Sequence, residues 1–259
     1  MTVIKSLFIA FSIYSKIPVP QFEWKEEEMK YMLCFFPWVG AAAGGLVYLW
    51  GMFCRTYQVG SLCYTLFGAA IPLLVTGGFH ADGFLDTMDA FHSYRPKEKK
   101  LEILKDSHIG AFAVIMFGLY GLLYMAAFSE ICDSRLLGVV SAGFFLSRTL
   151  SGIGVVTFPP AKQEGLLFLF SGSAQKNMVK AVLILQGIVC IGFMLWCSPT
   201  GGAAAVIAAF YSFAAYWRRC KRELGGTTGD TAGYFVMLCE VCMVVAVAAV
   251  SILGKGGPG

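Results

Sequence analysis

The 37 residues between Lys180 and Arg218 contain no Asp, Glu, Lys, Arg or His. Three further charge-free stretches, of 24, 24 and 21 residues, lie between Lys30 and Arg55, Arg55 and His80, and His108 and Glu130. About 20 predominantly apolar residues in helical form cross a bilayer, so each stretch is long enough to span, and the longest can span twice. With 57% hydrophobic and 14% charged residues, the chain lies far from the roughly 25% charge of a soluble domain. A disordered chain, a disulfide scaffold, a coiled coil and a nucleic-acid module are excluded as its main identity.

The pattern predicts an all-α, polytopic membrane bundle forming a single domain over 1–259. Seven spans are expected, at about 33–53, 57–79, 109–129, 136–158, 181–197, 203–217 and 231–253. The 37-residue stretch is cut at Ser198-Pro199-Thr200-Gly201-Gly202, because Pro and paired Gly punctuate helices. Ser6–Tyr14 is a short apolar run behind Lys5, and no small-x-small cleavage site follows it. It is expected to be a helix at the interface or packed on the bundle. Of the 20 basic residues, 16 fall in connections on one side of this topology, Lys25, Lys30 and Lys162 among them; Arg55, Arg135 and Lys255 fall on the other. Cytoplasmic loops accumulate Lys and Arg, so the N-terminus is expected inside and the C-terminus outside. The nine cysteines lie mostly within spans, and the lone Cys239-x-x-Cys242 reads as buried packing.

Chemistry-bearing residues concentrate on the richly basic side. His80-Ala81-Asp82-Gly83-Phe84-Leu85-Asp86-Thr87-Met88-Asp89 places three carboxylates at i, i+4 and i+7, on one helix face. Like charges so close repel, which makes sense if a hard divalent cation sits among the oxygens. A solvated acidic face balanced by Arg95–Lys105 is the plainer alternative. His80 is a candidate ligand or base. Lys105 suits a phosphate, Asp106 can extend the acidic cluster or orient Lys105, and Ser107 can cap the next helix. Arg148 stands in mid-span, where a charge costs about 2.5–3.5 kcal/mol and usually marks a site. Its partner is either a phosphate or, structurally, Glu240. Gly225-Gly226-Thr227-Thr228-Gly229-Asp230 opens the last helix with small residues and hydroxyls that let backbone N–H groups approach an anion. Gly225, Gly226, Thr228 and Asp230 are therefore the candidate phosphate-binding residues, with Asp230 a possible metal ligand. Together these groups point to transfer chemistry on a diphosphate.

Gly77-Gly78-Phe79-His80-Ala81-Asp82-Gly83-Phe84-Leu85-Asp86-Thr87-Met88-Asp89, followed by Ile103-Leu104-Lys105-Asp106-Ser107-His108-Ile109-Gly110, resembles the motif of the cobalamin synthase family, the adenosylcobinamide-GDP ribazoletransferases. Ile17-Pro18-Val19-Pro20, Phe36-Pro37-Trp38-Val39-Gly40, Leu146-Ser147-Arg148 and the G-G-x-T-G-D stretch at 225–230 match in the same order. His108 and Lys16 stand where Arg is usual, and Phe91-His92 replaces a Gly-rich ending.

The resemblance implies a multi-pass, Mg²⁺-dependent enzyme of a bacterial or archaeal cytoplasmic membrane, with its site on the cytoplasmic face. It implies that α-ribazole or its 5′-phosphate attacks the diphosphate of adenosylcobinamide-GDP. GMP would leave, and adenosylcobalamin or its 5′-phosphate would form. On this basis Asp82, Asp86 and Asp89 are the expected Mg²⁺ ligands, and Lys105 and Arg148 the phosphate-neutralising cations. Asp106, Asp230 or His80 is the expected base. Membrane lipid and other corrinoid enzymes are the expected partners, with no nucleic acid. Two rivals remain: a phosphatidyltransferase acting on CDP-alcohols, whose Ala-Arg and second acidic pair are missing, and a transporter, against which the clustering of polar residues at one face argues.

Overall fold

The computed structural model describes residues 2–20, 29, 31–161 and 176–255. Lys25, Lys30 and Lys162 of the charge pattern lie outside these. Among the described residues there are ten α-helices and no strand. They are α1 (Thr2–Tyr14), α2 (Phe36–Thr56), α3 (Ser61–Thr76), α4 (Phe79–His92), α5 (Lys97–Ile103), α6 (Ala111–Ser129), α7 (Ser134–Thr157), α8 (Lys176–Cys197), α9 (Pro199–Glu223) and α10 (Gly229–Lys255). The expected all-α membrane bundle is what forms.

Seven of these helices, α2, α3 and α6–α10, run alternately between two ends of the bundle. At one end the start of α3, the α6–α7 link and the end of α10 meet. Tyr64 Oη donates to the Ile131 carbonyl at 2.6 Å, Ser251 Oγ donates to the Glu130 carbonyl at 2.8 Å, and Lys255 pairs with Glu130 at 3.1 Å. At the other end lie α4, α5, the end of α7 and the start of α10. These seven helices correspond to the seven expected spans, but five stretches are long and apolar enough to cross by themselves: Met32–Thr56, α6, α7, α8 and α10. Helix α9 carries Arg218, Arg219, Lys221 and Arg222 in its last turns. Helix α3 has only 16 residues and is bent by 94° from α4.

The bend replaces the straight end of the expected 57–79 span. Gly77 and Gly78 both adopt left-handed backbone, at φ +60° and +81°, which a residue without a Cβ reaches at little cost. Helix α4 therefore leaves the direction of α3 and packs beside the first turns of α6 and α10. The break between α8 and α9 falls where Pro199 was expected to place it: Ser198 caps α9 by accepting from Gly201 N–H at 3.2 Å. Thr200–Gly202, however, are helical. Both helices also outrun their apolar stretches by several residues, because the backbone hydrogen-bond ladder continues through polar residues once it is nucleated.

Helix α7 is the central helix, buried along most of its length and packed on α2, α8, α9 and α10. Asp133 caps it, accepting from Arg135 N–H at 2.6 Å and Leu136 N–H at 3.2 Å. Gly40 and Gly44 on α2 lie against the carbonyls of Phe144 and Ser141, where any side chain would collide with backbone. This small-x-x-x-small contact lets two helices approach when lipid provides no hydrophobic drive between them. Helix α1 packs on the bundle rather than lying free, with Ile9 and Ala10 fully buried. Cys239 is buried on α10 and both it and Cys242 are free thiols, in line with the packing role expected of them.

Candidate active site

The double-glycine bend presents α4 with one face inward and one toward the bundle end. Ala81, Phe84, Thr87, Met88 and Phe91 are buried against the bundle. Asp82, Asp86 and Asp89 take the other face, as their spacing requires. Gly83 sits against the start of α10, and a Cβ there would be 2.6 Å from the Asp230 carbonyl oxygen. This close approach sets Asp230 beside the acidic face. The Asp86 carboxyl is pushed up to about 6, mainly by partial burial and then by the charges of Asp82, Asp230 and Asp89.

Asp89 has a different job from the one expected. Its carboxylate accepts from Gly110 N–H and, at 3.0 Å, from Ala113 N–H, so it caps the first turn of α6 from another helix. Ser107, the expected cap, is exposed in the preceding turn. The physical reason is that both Asp89 oxygens are already engaged by the first turn of α6, while Asp82, seven residues away on the same face, stands about 10 Å along the helix axis. Among the described residues no three His, Cys, Asp or Glu side chains are grouped tightly enough to hold a metal by themselves. Mg²⁺ does not need such a cage: it is usually held by one or two carboxylates, waters and substrate phosphates. Asp82, Asp86 and Asp230 supply that donor chemistry, and their mutual repulsion is what a cation would relieve.

A cavity of about 470 Å³ opens beside this cluster. Asp82, Lys105, Thr227, Thr228 and Asp230 line it, with Ser151 from α7 and His80. The start of α10 is closed by a reciprocal cap: Thr228 N–H donates to Thr231 Oγ1 at 2.8 Å, and Thr231 N–H donates to Thr228 Oγ1 at 3.2 Å. Gly225 and Gly226 do not line the cavity. Gly225 turns the chain at φ +78° against the Lys97 side chain, and a Cβ on Gly226 would be 2.6 Å from the Pro159 carbonyl. They let the turn pair with the segment after α7, where Thr227 N–H donates to Pro159 O at 3.0 Å and Ala161 N–H to Thr227 O at 2.8 Å. Their expected phosphate contact is replaced by this packing, which holds Thr227 and Thr228 in place.

Two further expectations change. Asp106 lies outside the cavity, exposed, accepting from the His108 N–H at 3.0 Å and meeting the His108 ring Nδ1 at 2.6 Å. These hydrogen bonds hold its carboxyl below the usual range. Arg148 is buried in mid-bundle, where it meets Glu240 Oε1 at 2.6 Å and the Phe144 carbonyl at 2.9 Å. Ser147 Oγ donates to the same Glu240 oxygen at 3.0 Å. Of the two partners expected for Arg148, Glu240 is within contact distance, as a guanidinium removed from water requires. It faces a second cavity, of about 250 Å³, with Glu240, Tyr120 and Tyr124.

His80 stands between the two cavities and lines both. It is 4% exposed, neither ring nitrogen has a hydrogen-bond partner, and burial followed by the charge of Arg148 drives its pKa well below the ordinary value. The sequence reasoning missed the wall facing this ring, built by Ile13 and Tyr14 of α1 with Leu33, Phe36 and Phe79. Aromatic residues in a hydrophobic chain carry no local mark of a site; the only signs were that 36–40 and Phe79 fall within stretches that match the family.

Comparison with known proteins gives one consistent result. Residues 6–248 match the family model described as cobalamin-5-phosphate synthase. A protein of Lachnoclostridium phytofermentans named adenosylcobinamide-GDP ribazoletransferase is 41% identical over 256 residues, covering 98% of each chain. Proteins of the same name from Herpetosiphon aurantiacus and Clostridium perfringens are 32% identical over 96% of this chain and 97% of theirs, and 30% identical over 91% of this chain and 94% of theirs. No solved structure matches.

Proposed function

The chain belongs to the cobalamin-5-phosphate synthase family, and from that membership we propose that it is an adenosylcobinamide-GDP ribazoletransferase working at the cavity between α4 and α10. It joins adenosylcobinamide-GDP to α-ribazole or α-ribazole 5′-phosphate and releases GMP. The observation that carries this reading is the convergence of Asp82, Lys105, Thr228 and Asp230, from three separate parts of the chain, on one cavity.

In the reaction a ribose hydroxyl of α-ribazole attacks the phosphorus that bears the corrinoid. A new P–O bond forms there, the P–O bond to GMP breaks, and the bonding pair leaves with GMP. The hydroxyl proton passes to a carboxylate. Asp230 is the one to which we assign this role, because it lines the cavity and Asp106 does not. Lys105 sets its positive charge against the phosphoryl oxygens. The first turn of α10 offers backbone N–H groups and the positive end of a 27-residue helix to the same oxygens. Asp82 and Asp86 are the residues that would hold Mg²⁺, which when bound would neutralise the diphosphate and the departing phosphate. Arg148 and Glu240 act from behind, as a buried pair supporting the α7–α10 contact under His80.

The cavity end of the bundle is assigned to the cytoplasm, since the basic loops cluster there. The chain is thus a multi-pass protein of the cytoplasmic membrane, in contact with its lipids. The test is GMP release by detergent-purified protein from adenosylcobinamide-GDP and α-ribazole, with and without Mg²⁺. Loss of release in Asp82→Asn and Asp86→Asn, with folding intact, is expected. Near-normal turnover of either variant at limiting Mg²⁺ would refute the metal assignment.

A further inference from the structure

The cavity has two unlike sides. One carries the carboxylates, Lys105 and the Thr227–Thr228 hydroxyls. The other is a contiguous aromatic wall made by three separate segments: Tyr14 at the end of α1, Phe36 at the start of α2, and Phe79 and His80 at the start of α4. Ring centroids lie 4.3 Å apart for Tyr14–Phe36, 5.3 Å for Tyr14–Phe79, 5.7 Å for Phe36–His80 and 5.6 Å for Phe79–His80. Phe36 and His80 are nearly parallel, at 15°. Phe79 is 47% exposed although it is a large apolar ring facing the cavity, and the buried His80 ring has both nitrogens without a partner. Buried polar atoms in folded proteins are almost always satisfied. An unsatisfied ring nitrogen in an aromatic wall, next to a half-open phenyl, marks a place where a ligand supplies the missing contacts.

Resting on the ribazoletransferase reading, we propose that this wall is the seat of the base of α-ribazole, and that the guanosine of the other substrate lies on the polar side. The chemistry of the two bases decides between them. Guanine carries donors and acceptors along most of its edge, and a wall whose polar atoms are the His80 nitrogens and the Tyr14 hydroxyl would leave most of them unpaired, which is costly. The base of α-ribazole is a flat, fused, largely apolar ring system. Once glycosylated it keeps a single ring nitrogen, an acceptor, which the ring N–H of His80 satisfies. Stacking supplies the remainder and is indifferent to edge chemistry. The wall and Asp230 line the same cavity, so a base seated here leaves its ribose in the space that Asp230 borders. Tyr14 and Phe79 are thus specificity residues for the nucleophile, Phe36, 4% exposed between Tyr14 and His80, backs them, and α1 belongs to the active site.

The test is steady-state kinetics with each substrate varied in turn, on wild type, Tyr14→Leu, Phe79→Leu and the conservative Tyr14→Phe. Losing one stacking partner raises the KM for α-ribazole by about tenfold, within the measured worth of a base–aromatic contact. The KM for adenosylcobinamide-GDP stays within about twofold, since no contact to it is removed, and Tyr14→Phe behaves as wild type. Phe79→Leu alters a half-exposed side chain and serves if Tyr14→Leu fails to fold. A rise in the KM for adenosylcobinamide-GDP instead, or no change in either, overturns the proposal while turnover by the wild type leaves the functional reading standing. A wild-type protein that releases no GMP sinks the functional reading, and this proposal with it.

Discussion

Asp89 is the residue at which sequence pattern and tertiary structure assign different work, and Asp89→Asn and Asp89→Ala separate them. Its carboxylate accepts from two backbone N–H groups in the first turn of α6, a helix that begins at Gly110 with no side-chain cap of its own. Removing an N-cap costs about 0.5–2 kcal/mol, and removing a negative charge from a helix N-terminus costs about 0.3–1 kcal/mol more. Asp89 is only partly buried, so Asp89→Ala is expected to destabilise by about 2 kcal/mol. For a chain of this size that is a fall in Tm of about 4–8 °C. Asp89→Asn keeps an acceptor and loses the charge, and is expected to cost about half as much. Thermal unfolding in detergent, followed by the fluorescence of a thiol-reactive dye on the buried cysteines, reads the stability. A Mg²⁺ titration of GMP release reads the metal. The expected result is a lowered Tm with an unchanged Mg²⁺ midpoint in Asp89→Asn. An unchanged Tm with a shifted Mg²⁺ midpoint would show that Asp89 is a ligand and that the capping argument is wrong.

The Asp86 carboxyl, raised to about 6, binds its proton more tightly in the folded metal-free protein than in the unfolded chain. Its favourable contribution is complete below its unfolded value of about 3.9 and is lost as pH rises through about 6. Metal-free Asp86→Asn is therefore expected to melt higher than metal-free wild type at pH 7.5 and to lose that advantage toward pH 4; equal melting curves at pH 7.5 would refute the repulsion. Below pH 6 the proton also competes with the cation, so more Mg²⁺ should be needed for half-maximal turnover. Gly83→Ala sets a Cβ 2.6 Å from the Asp230 carbonyl, which pushes α10 away from α4. Turnover should fall by about tenfold or more, since a displacement of 1 Å at a site can cost a hundredfold, and normal activity in a folded variant would contradict the close packing. Arg148→Met alone strands Glu240 and is expected to cost about 3–5 kcal/mol, whereas Arg148→Met with Glu240→Met recovers most of that stability. Recovery of turnover in the double variant marks the pair as structural; a folded but inactive double variant would return Arg148 to the phosphate.

Much of this molecule was readable from local pattern. Charge-free stretches predicted the helical membrane bundle because a bilayer tolerates little else, and Pro199 marked the α8–α9 break because proline lacks an amide donor. Asp82, Lys105 and Asp230 stood out because charged residues are sparse in so apolar a chain, and Thr228 because it lies in a Gly-rich turn at the start of a helix. The differences share a cause. Asp89, Gly225, Gly226 and Arg148 are polar or special residues in the right region whose partners come from elsewhere in the chain. A carboxylate that caps a distant helix and one that faces a cavity look identical in sequence. Span lengths were misjudged at α8 and α9 because a helix ends where its hydrogen bonds end, not where its apolar residues do.

By itself, then, the sequence determined the solvent this protein lives in, the helices that solvent demands and the motif that places it in its family. These follow from composition and short-range spacing. Only the tertiary structure decided which of the acidic residues share a cavity and which are caps. It alone turned the Gly77–Gly78 pair into a 94° bend, paired Arg148 with Glu240 across two helices, and brought α1 into the site as an aromatic wall. The bend depends on the backbone angles that two adjacent glycines adopt, and the others on where a side chain from one helix meets another, a contact set by packing, which no local pattern records.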